Sequence, residues 1–230
     1  MRAFSENLNK PKLIFKIEIN KNPIKKLFNI PKQINVILER YKLDFIDTVQ
    51  ICNNPHADKL NLFLIKSIFK KYKKKKLINN FVLESFEPFS KNLDKIINDN
   101  FFNGYIFTLN CFQKGASTNF FLNILNSNKK IISISPLASS KSDFFFQKFP
   151  SDFKISLNEI MLKNKLDSIN ALQIAFLKSI DRVDIALFGT KNYERYKIIK
   201  FLIKSTNSLS QDDMKKIIYL QEKFHSPVLF

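Results

Sequence analysis

Four residues, Gly189-Thr190-Lys191-Asn192, stand between an apolar run and a helical stretch. A turn feeding a helix N-terminus presents backbone N–H groups and the positive end of the helix dipole. A cation beside it makes the place suitable for a phosphate. The same four residues also suit a plain tight turn, and both readings stand. Lys16 sits inside the apolar run LIFKIEI, where it reads as an alternating residue of a strand at a sheet edge. Cys52 ends DFIDTVQIC and reads as a small buried apolar residue. With Cys111 as the second of two cysteines there is no disulfide framework, so a reducing cytoplasm is the expected setting. The two histidines are His56 and His225, and no metal site is expected. Three glycines in the whole chain exclude Gly-rich phosphate loops of the GxGxxG or Walker kind.

The elements that must position these residues follow from periodicity. Six short apolar runs read as strands: Lys12–Ile19, Asp44–Cys52, Phe81–Phe86, Tyr105–Asn110, Lys130–Ser135 and Val183–Phe188. Helical spacing separates or follows them over Pro31–Tyr41, Asp58–Lys74, Ser90–Asn98, Ser117–Asn126, Asp167–Ile180, Asn192–Lys204 and Ser210–Phe224. Pro31 is expected in the first turn of its helix. Pro136–Lys154 is the one long stretch expected to be irregular. Strands alternating with helices imply βα units and a parallel sheet covered on both faces. Two architectures remain, a doubly wound sheet or part of a (β/α) barrel. No boundary signal divides the chain, so a single domain over 1–230 is expected.

At 230 residues and 45% hydrophobic content the chain can bury a core and is not a disordered one. No apolar run approaches the ~20 residues of a membrane span, and the N-terminus has no signal-peptide core. Net charge is +18, from 38 Lys+Arg against 20 Asp+Glu. Lys, Asn, Ile and Phe have A/T-rich codons, so part of that excess reflects base composition. A solvated basic surface is the expectation, ahead of nucleic-acid binding through counterion release. The densest run, Lys70 to Lys76, falls at a helix end, where cations favour the dipole.

Several runs together resemble the aldo/keto reductases. Leu43–Ile51 (LDFIDTVQI) is similar to that family's LDYIDLxxI, and Ser133–Ala138 (SISPLA) to its YSPLA. Gly104–Gly115 (GYIFTLNCFQKG) is similar to QVxYNLLxR. Ala171–Lys178 with Ala186–Glu194 (ALFGTKNYE) is similar to ALxWLL followed by IPGTRNxE. The pieces occur in the family's order and cover roughly residues 12–224, from the third family strand onward. The resemblance implies a parallel (β/α) TIM-barrel-like fold, incomplete, with about six βα units and the first two strands missing. It implies an NADP-dependent oxidoreductase that transfers hydride to a carbonyl, with a Tyr proton donor assisted by Lys, Asp and His.

Carried over residue by residue, Lys16 matches the family's strand-borne Lys and Cys52 falls at the position of its His. Asn110 matches the Asn ending the sixth strand, and Ser135 and Leu137 line the diphosphate. Gly189, Thr190, Lys191 and Asn192 form the adenosine-phosphate turn, with Lys191 as the 2′-phosphate base. The departures are as informative. The DxAxxYG segment that carries Asp and Tyr is not in the chain, Ile134 replaces the aromatic that stacks on nicotinamide, and Ile106 replaces a Gln. A reductase-like domain with catalysis lost is therefore the first expectation. An active NADPH-dependent reductase completed by a partner chain is the second, and a basic α/β binding module the third. Nucleic acid is not expected as a partner, because the phenylalanines fall at core spacing and a stacking platform needs exposed rings. Open strand edges point to self-association or to a partner that covers them.

Overall fold

Apolar residues on short strands demand cover, and the chain supplies helices between the strands to provide it. The computed structural model describes residues 14–19, 23–53, 62–85, 100–113, 123–138 and 141–224. Its strands are β1 (Ile14–Ile19), β2 (Ile46–Asn53), β3 (Ile78–Ser85), β4 (Gly104–Thr108), β5 (Lys130–Ile134) and β6 (Ile185–Leu187), and they follow one another in a single sheet in that order. The pairs β1–β2, β2–β3 and β5–β6 are parallel. A doubly wound sheet reverses its strand order at a switch point, whereas a (β/α) barrel never does. The unbroken order therefore selects the barrel-type winding, with six strands among the described residues against the eight of a full barrel. No described helix is long and apolar enough to cross a membrane.

Residues 1–105 form one compact unit. It contains helix α1 (Pro23–Tyr41) between β1 and β2, and α2 (Leu62–Lys74) between β2 and β3. One face of the sheet buries Ile17, Val49, Ile51, Phe81 and Leu83, and the helices contribute buried Ile30, Ile34 and Phe69. The Phe81 ring lies 4.9 Å from Phe69 and is stacked 4.9 Å from Phe101. Each such fully buried ring is worth roughly 2–3 kcal/mol of transfer free energy. Pro31 does not open a helix, as its sequence position suggests. It lies inside α1, whose first residue is Pro23. A first-turn proline loses no intrahelical bond, so Pro23 is the true starter and the carbonyl four residues before Pro31 forgoes its donor. The lysine run does end a helix, with Lys71, Lys73 and Lys74 in the last turn of α2.

Residues 106–230 form the second unit. Here Pro136–Lys154 is not irregular: it contains α3 (Ser142–Lys148) and the start of α4 (Ser151–Lys163). Three consecutive phenylalanines blur the pattern of α3, and exposed Ile155 and Leu162 blur that of α4. What organises both is an aromatic row. Phe149 stacks on Phe112 at 5.4 Å and on Phe153 at 4.1 Å, and Phe224 meets Phe153 edge-on at 5.6 Å. Next comes α5 (Ile169–Lys178), capped by the Ser168 hydroxyl and buried over most of its length. The last two are α6 (Tyr193–Ser205) and α7 (Gln211–Phe224). At the N-terminal ends of β5 and β6, Arg182 donates to the carbonyls of Leu125, Ser127 and Lys129 at 2.6, 2.6 and 3.2 Å. Asp184 accepts from Lys130 Nζ at 2.6 Å and from the Ile131 N–H at 2.9 Å. The helix expected over Ser90–Asn98, most of that over Ser117–Asn126, and both His56 and His225 lie outside the described residues.

Candidate functional site

In barrel-type folds the loops after the strands build the site. In the second unit these are the loops after β4, β5 and β6. The turn after β5 is held in an unusual backbone: Ser135 and Ala138 both have positive φ, 49° and 46°. Neither is glycine, so each is strained, and the turn is secured by Ala138 N–H donating to Ser135 O at 2.9 Å. Asn110 secures it from the loop after β4. Its amide donates to Ser135 O at 3.2 Å and to Gln113 Oε1 at 2.6 Å. Its Oδ1 accepts the Phe112 and Gln113 N–H groups at 3.0 and 3.1 Å. Its carbonyl accepts from Gln221 Nε2 at 2.9 Å, while Gln173 Oε1 accepts the neighbouring Cys111 N–H at 2.7 Å. Both amide hydrogens of Asn110 are thus used within the protein. The residue clamps one strand loop to the next.

Ser135, Pro136 and Leu137 from that turn, and Leu187, Phe188 and Gly189 after β6, line one cleft of about 320 Å³, closed on one side by Ile199 of α6. Leu137 and Ile199 belong at the same time to a core cluster with Ala171, Ile174 and Leu202, so the walls are anchored. Gly189 has no positive φ, and a Cβ there would meet nothing within 4 Å. Neither backbone strain nor crowding calls for glycine at this position. What it leaves is open space at the cleft it lines, as a group approaching the backbone closely would need.

The turn then runs into α6. Thr190 Oγ1 accepts the Asn192 N–H at 3.1 Å, and Asn192 caps the helix by accepting the Arg195 N–H at 3.1 Å. The first-turn N–H groups of Tyr193 and Glu194 remain directed along the helix axis, as at any N-terminus. The carboxylate of Glu194 would repel an anion there, but Lys197 pairs with it at 2.7 Å. Lys191 is exposed beside the same turn. The structure therefore brings Ser135, Leu137 and Gly189 to one cleft, with Thr190, Lys191 and Asn192 contiguous with it. Asn110 stands behind the wall.

In the first unit the outcome differs. Lys16 Nζ lies 3.3 Å from Glu84 Oε2, whose side chain is 2% exposed. Gln50 Nε2 donates to the same carboxylate oxygen. Register explains the meeting: Lys16 aligns with Gln50, Gln50 with Val82, and Glu84 follows Val82 by two residues, returning to the same sheet face. Gln50 and Glu84 were not singled out by sequence reasoning. The available signal was a polar residue at one parity in each of three apolar strands. Cys52 aligns with Glu18 and Glu84, and its side chain lies outside the described residues. All six tyrosines are described, and none stands at the C-terminal end of a strand. Tyr41, Tyr72, Tyr193, Tyr196 and Tyr219 are helical, and Tyr105 is the second residue of β4, fully buried, where burial pushes its hydroxyl well above the usual range. Among the described residues no cluster of His, Cys, Asp and Glu could hold a metal.

No protein-family model matches the chain, and no curated protein matches it. Solved structures do. The holo form of an aldo-keto reductase from Bacillus halodurans is similar with a TM-score of 0.70 at 15% identity, covering 95% of this chain and 75% of that one. A Klebsiella pneumoniae aldo-keto reductase in complex with NADPH gives 0.66 at 13% identity, covering 98% and 74%. A glycerol dehydrogenase from Gluconobacter oxydans gives 0.69 at 15% identity, covering 98% and 76%. The chain thus has the fold of the aldo-keto reductases over about three quarters of their length.

Proposed function

We propose that this is an aldo-keto-reductase-like, NADP-dependent oxidoreductase domain whose second unit holds the phosphate-bearing end of NADP(H), and whose own residues do not complete carbonyl reduction. The observation that carries the reading is the cleft between Ser135–Leu137 and Leu187–Gly189, continuous in sequence with Lys191 and the capped N-terminus of α6. The solved neighbours include complexes with NADP and with NADPH. When bound, the dinucleotide supplies a hydride. The chain supplies the rest of the grip. Ser135 and Leu137 line the diphosphate, Gly189 gives close approach, and Lys191 with the first-turn N–H groups of α6 takes the 2′-phosphate. Ile134 offers the nicotinamide ring contact area without a π face.

A carbonyl that accepts hydride needs a proton on oxygen within ~3 Å. The Lys16 ammonium would have to lower the pKa of such an acid. It is already paired with the buried carboxylate of Glu84, which offsets its field. Cys52 stands where the resemblance places a His, and no Tyr is at a strand end. Calorimetry tests the binding half. NADPH should bind more tightly than NADH, and Lys191→Ala should remove that preference with a loss of roughly 10-fold or more, as for one charge-assisted contact. Equal affinity for the two dinucleotides would overturn the assignment of Lys191. Steady NADPH oxidation with generic aldehydes, abolished by Lys16→Ala, would show a working reductase instead.

A further inference from the structure

Helix α6 turns the wrong side outward for a helix of a globular fold. Its buried residues are Ile199 and Leu202. Its solvent side carries Tyr193, Tyr196 and Phe201, exposed by 70, 49 and 65%. Scattered exposed apolar residues need no explanation, but three rings on one helix face do. They are not segregated from charge. Lys197, Lys200 and Lys204 recur at helical spacing down the middle of the same face, all exposed, in line with Tyr193 and with Tyr196 to one side and Phe201 to the other. Lys191 adds to them just before the helix, against the single acid Glu194 within it.

That interleaving separates two anionic partners. A helix lying on a membrane gathers its apolar residues in the centre of one face and its lysines on the other or at the flanks. Here the lysines hold the centre. Single-stranded nucleic acid wants that order, a row of cations to track phosphates and adjacent rings on which bases stack without regard to sequence. The rings are also prepared for it. Tyr193 and Tyr196 are near parallel, 23° apart, with centroids 6.2 Å from each other. Lys197 Nζ lies 5.0 Å from the centroid of the Tyr193 ring, so cation and ring stand side by side on this face. The exposed rings that a stacking platform needs are therefore present on α6. We infer that the outward face of α6 binds single-stranded nucleic acid through Tyr193, Tyr196 and Phe201 with Lys197, Lys200 and Lys204.

The test is fluorescence anisotropy of the 230-residue chain with a labelled 15-nucleotide oligo(dT), without dinucleotide, across a salt series. Micromolar binding is expected, with log K falling against log salt at a slope of about −2 to −3 for three to four phosphates. Tyr193→Ala with Phe201→Ala should weaken binding at least 10-fold, and Tyr193→Phe should restore it, since the ring and not the hydroxyl is used. Lys197→Ala with Lys200→Ala should flatten the salt slope, whereas Lys73→Ala with Lys74→Ala on α2 should not. All these side chains are exposed, so circular dichroism and melting should stay unchanged in every variant. Ring variants that bind as well as the parent would reduce the interaction to diffuse charge and overturn the inference. So would binding to phosphatidylglycerol vesicles without oligonucleotide binding, or a Phe201-dependent dimer that excludes the oligonucleotide. Because NADPH is absent throughout, failure here leaves the assignment of Lys191 intact.

Discussion

Asp213 shows how a single carboxylate can hold a helix in place. It accepts from Lys163 Nζ at 2.9 Å, Asn164 Nδ2 at 3.1 Å and Ser210 Oγ at 2.8 Å, while its own N–H returns to Ser210 Oγ at 3.2 Å. Ser210 thus caps the start of α7, and the carboxylate ties that cap to the end of α4. Burial alone would raise its pKa, but the bonds from Lys163, Asn164 and Ser210 outweigh it and hold the carboxyl below the ordinary value of 3.8. Asp184 is lowered likewise: against burial, Lys130 and the Ile131 N–H prevail. A depressed folded pKa gives stability that is present above the unfolded value and disappears as pH falls through the folded one. Urea midpoints should therefore be flat above about pH 5 and drop below about pH 4, with a shallower drop in Asp213→Asn. At pH 7 that variant should lose about 2 kcal/mol, the usual worth of hydrogen bonds to a charged group. Ser210 was legible in the sequence as the start of its helix. The ion pair of Lys16 with Glu84 was not, because it depends on the register of three strands with 34 residues between successive partners Gln50 and Glu84.

Helix ends explain much of what pattern reading missed. Three helices finish in the same two-bond turn, with Lys42, Lys76 and Lys165 at positive φ of 51, 56 and 53°. Leu43 N–H reaches Leu38 O, Leu77 reaches Tyr72 and Leu166 reaches Met161, at 2.9, 3.0 and 2.9 Å. Glycine is the favoured residue at that left-handed position, and lysine there is strained. Lys42→Gly, Lys76→Gly and Lys165→Gly should each stabilise by about 0.5–1 kcal/mol, visible as a higher melting temperature in scanning calorimetry. Unchanged or lower values would mean that the lysine side chains contribute more than their backbone strain. The same substitution pattern hid the stops from the sequence: with three glycines in the chain, the usual marker of a helix end is missing. The strands were legible because short, largely apolar runs stand out without reference to a partner. The start of α1 was not, since two prolines compete for it and only Pro23 stands in its first turn.

At the scale of the whole chain, charge and edges set the behaviour. A net charge of +18 opposes close approach of two copies, and β1 and β6 are the end strands of the sheet order. The two tendencies separate with salt. Sedimentation should show association growing from low to high ionic strength as repulsion is screened, whereas oligonucleotide binding should weaken. A strictly monomeric chain at every salt concentration would argue that the edges are already covered. One further consequence comes from Cys111. Its thiol is fully buried, donates to Leu172 O at 3.8 Å, and is pushed well above its ordinary pKa by burial. Folded, it has neither access nor thiolate, so an alkylating reagent can reach it only through a transient opening. The Cys111 peptide, followed by mass spectrometry under iodoacetamide, becomes a stopwatch for residues 106–230. Its labelling should be slow in buffer and accelerate with urea in step with unfolding.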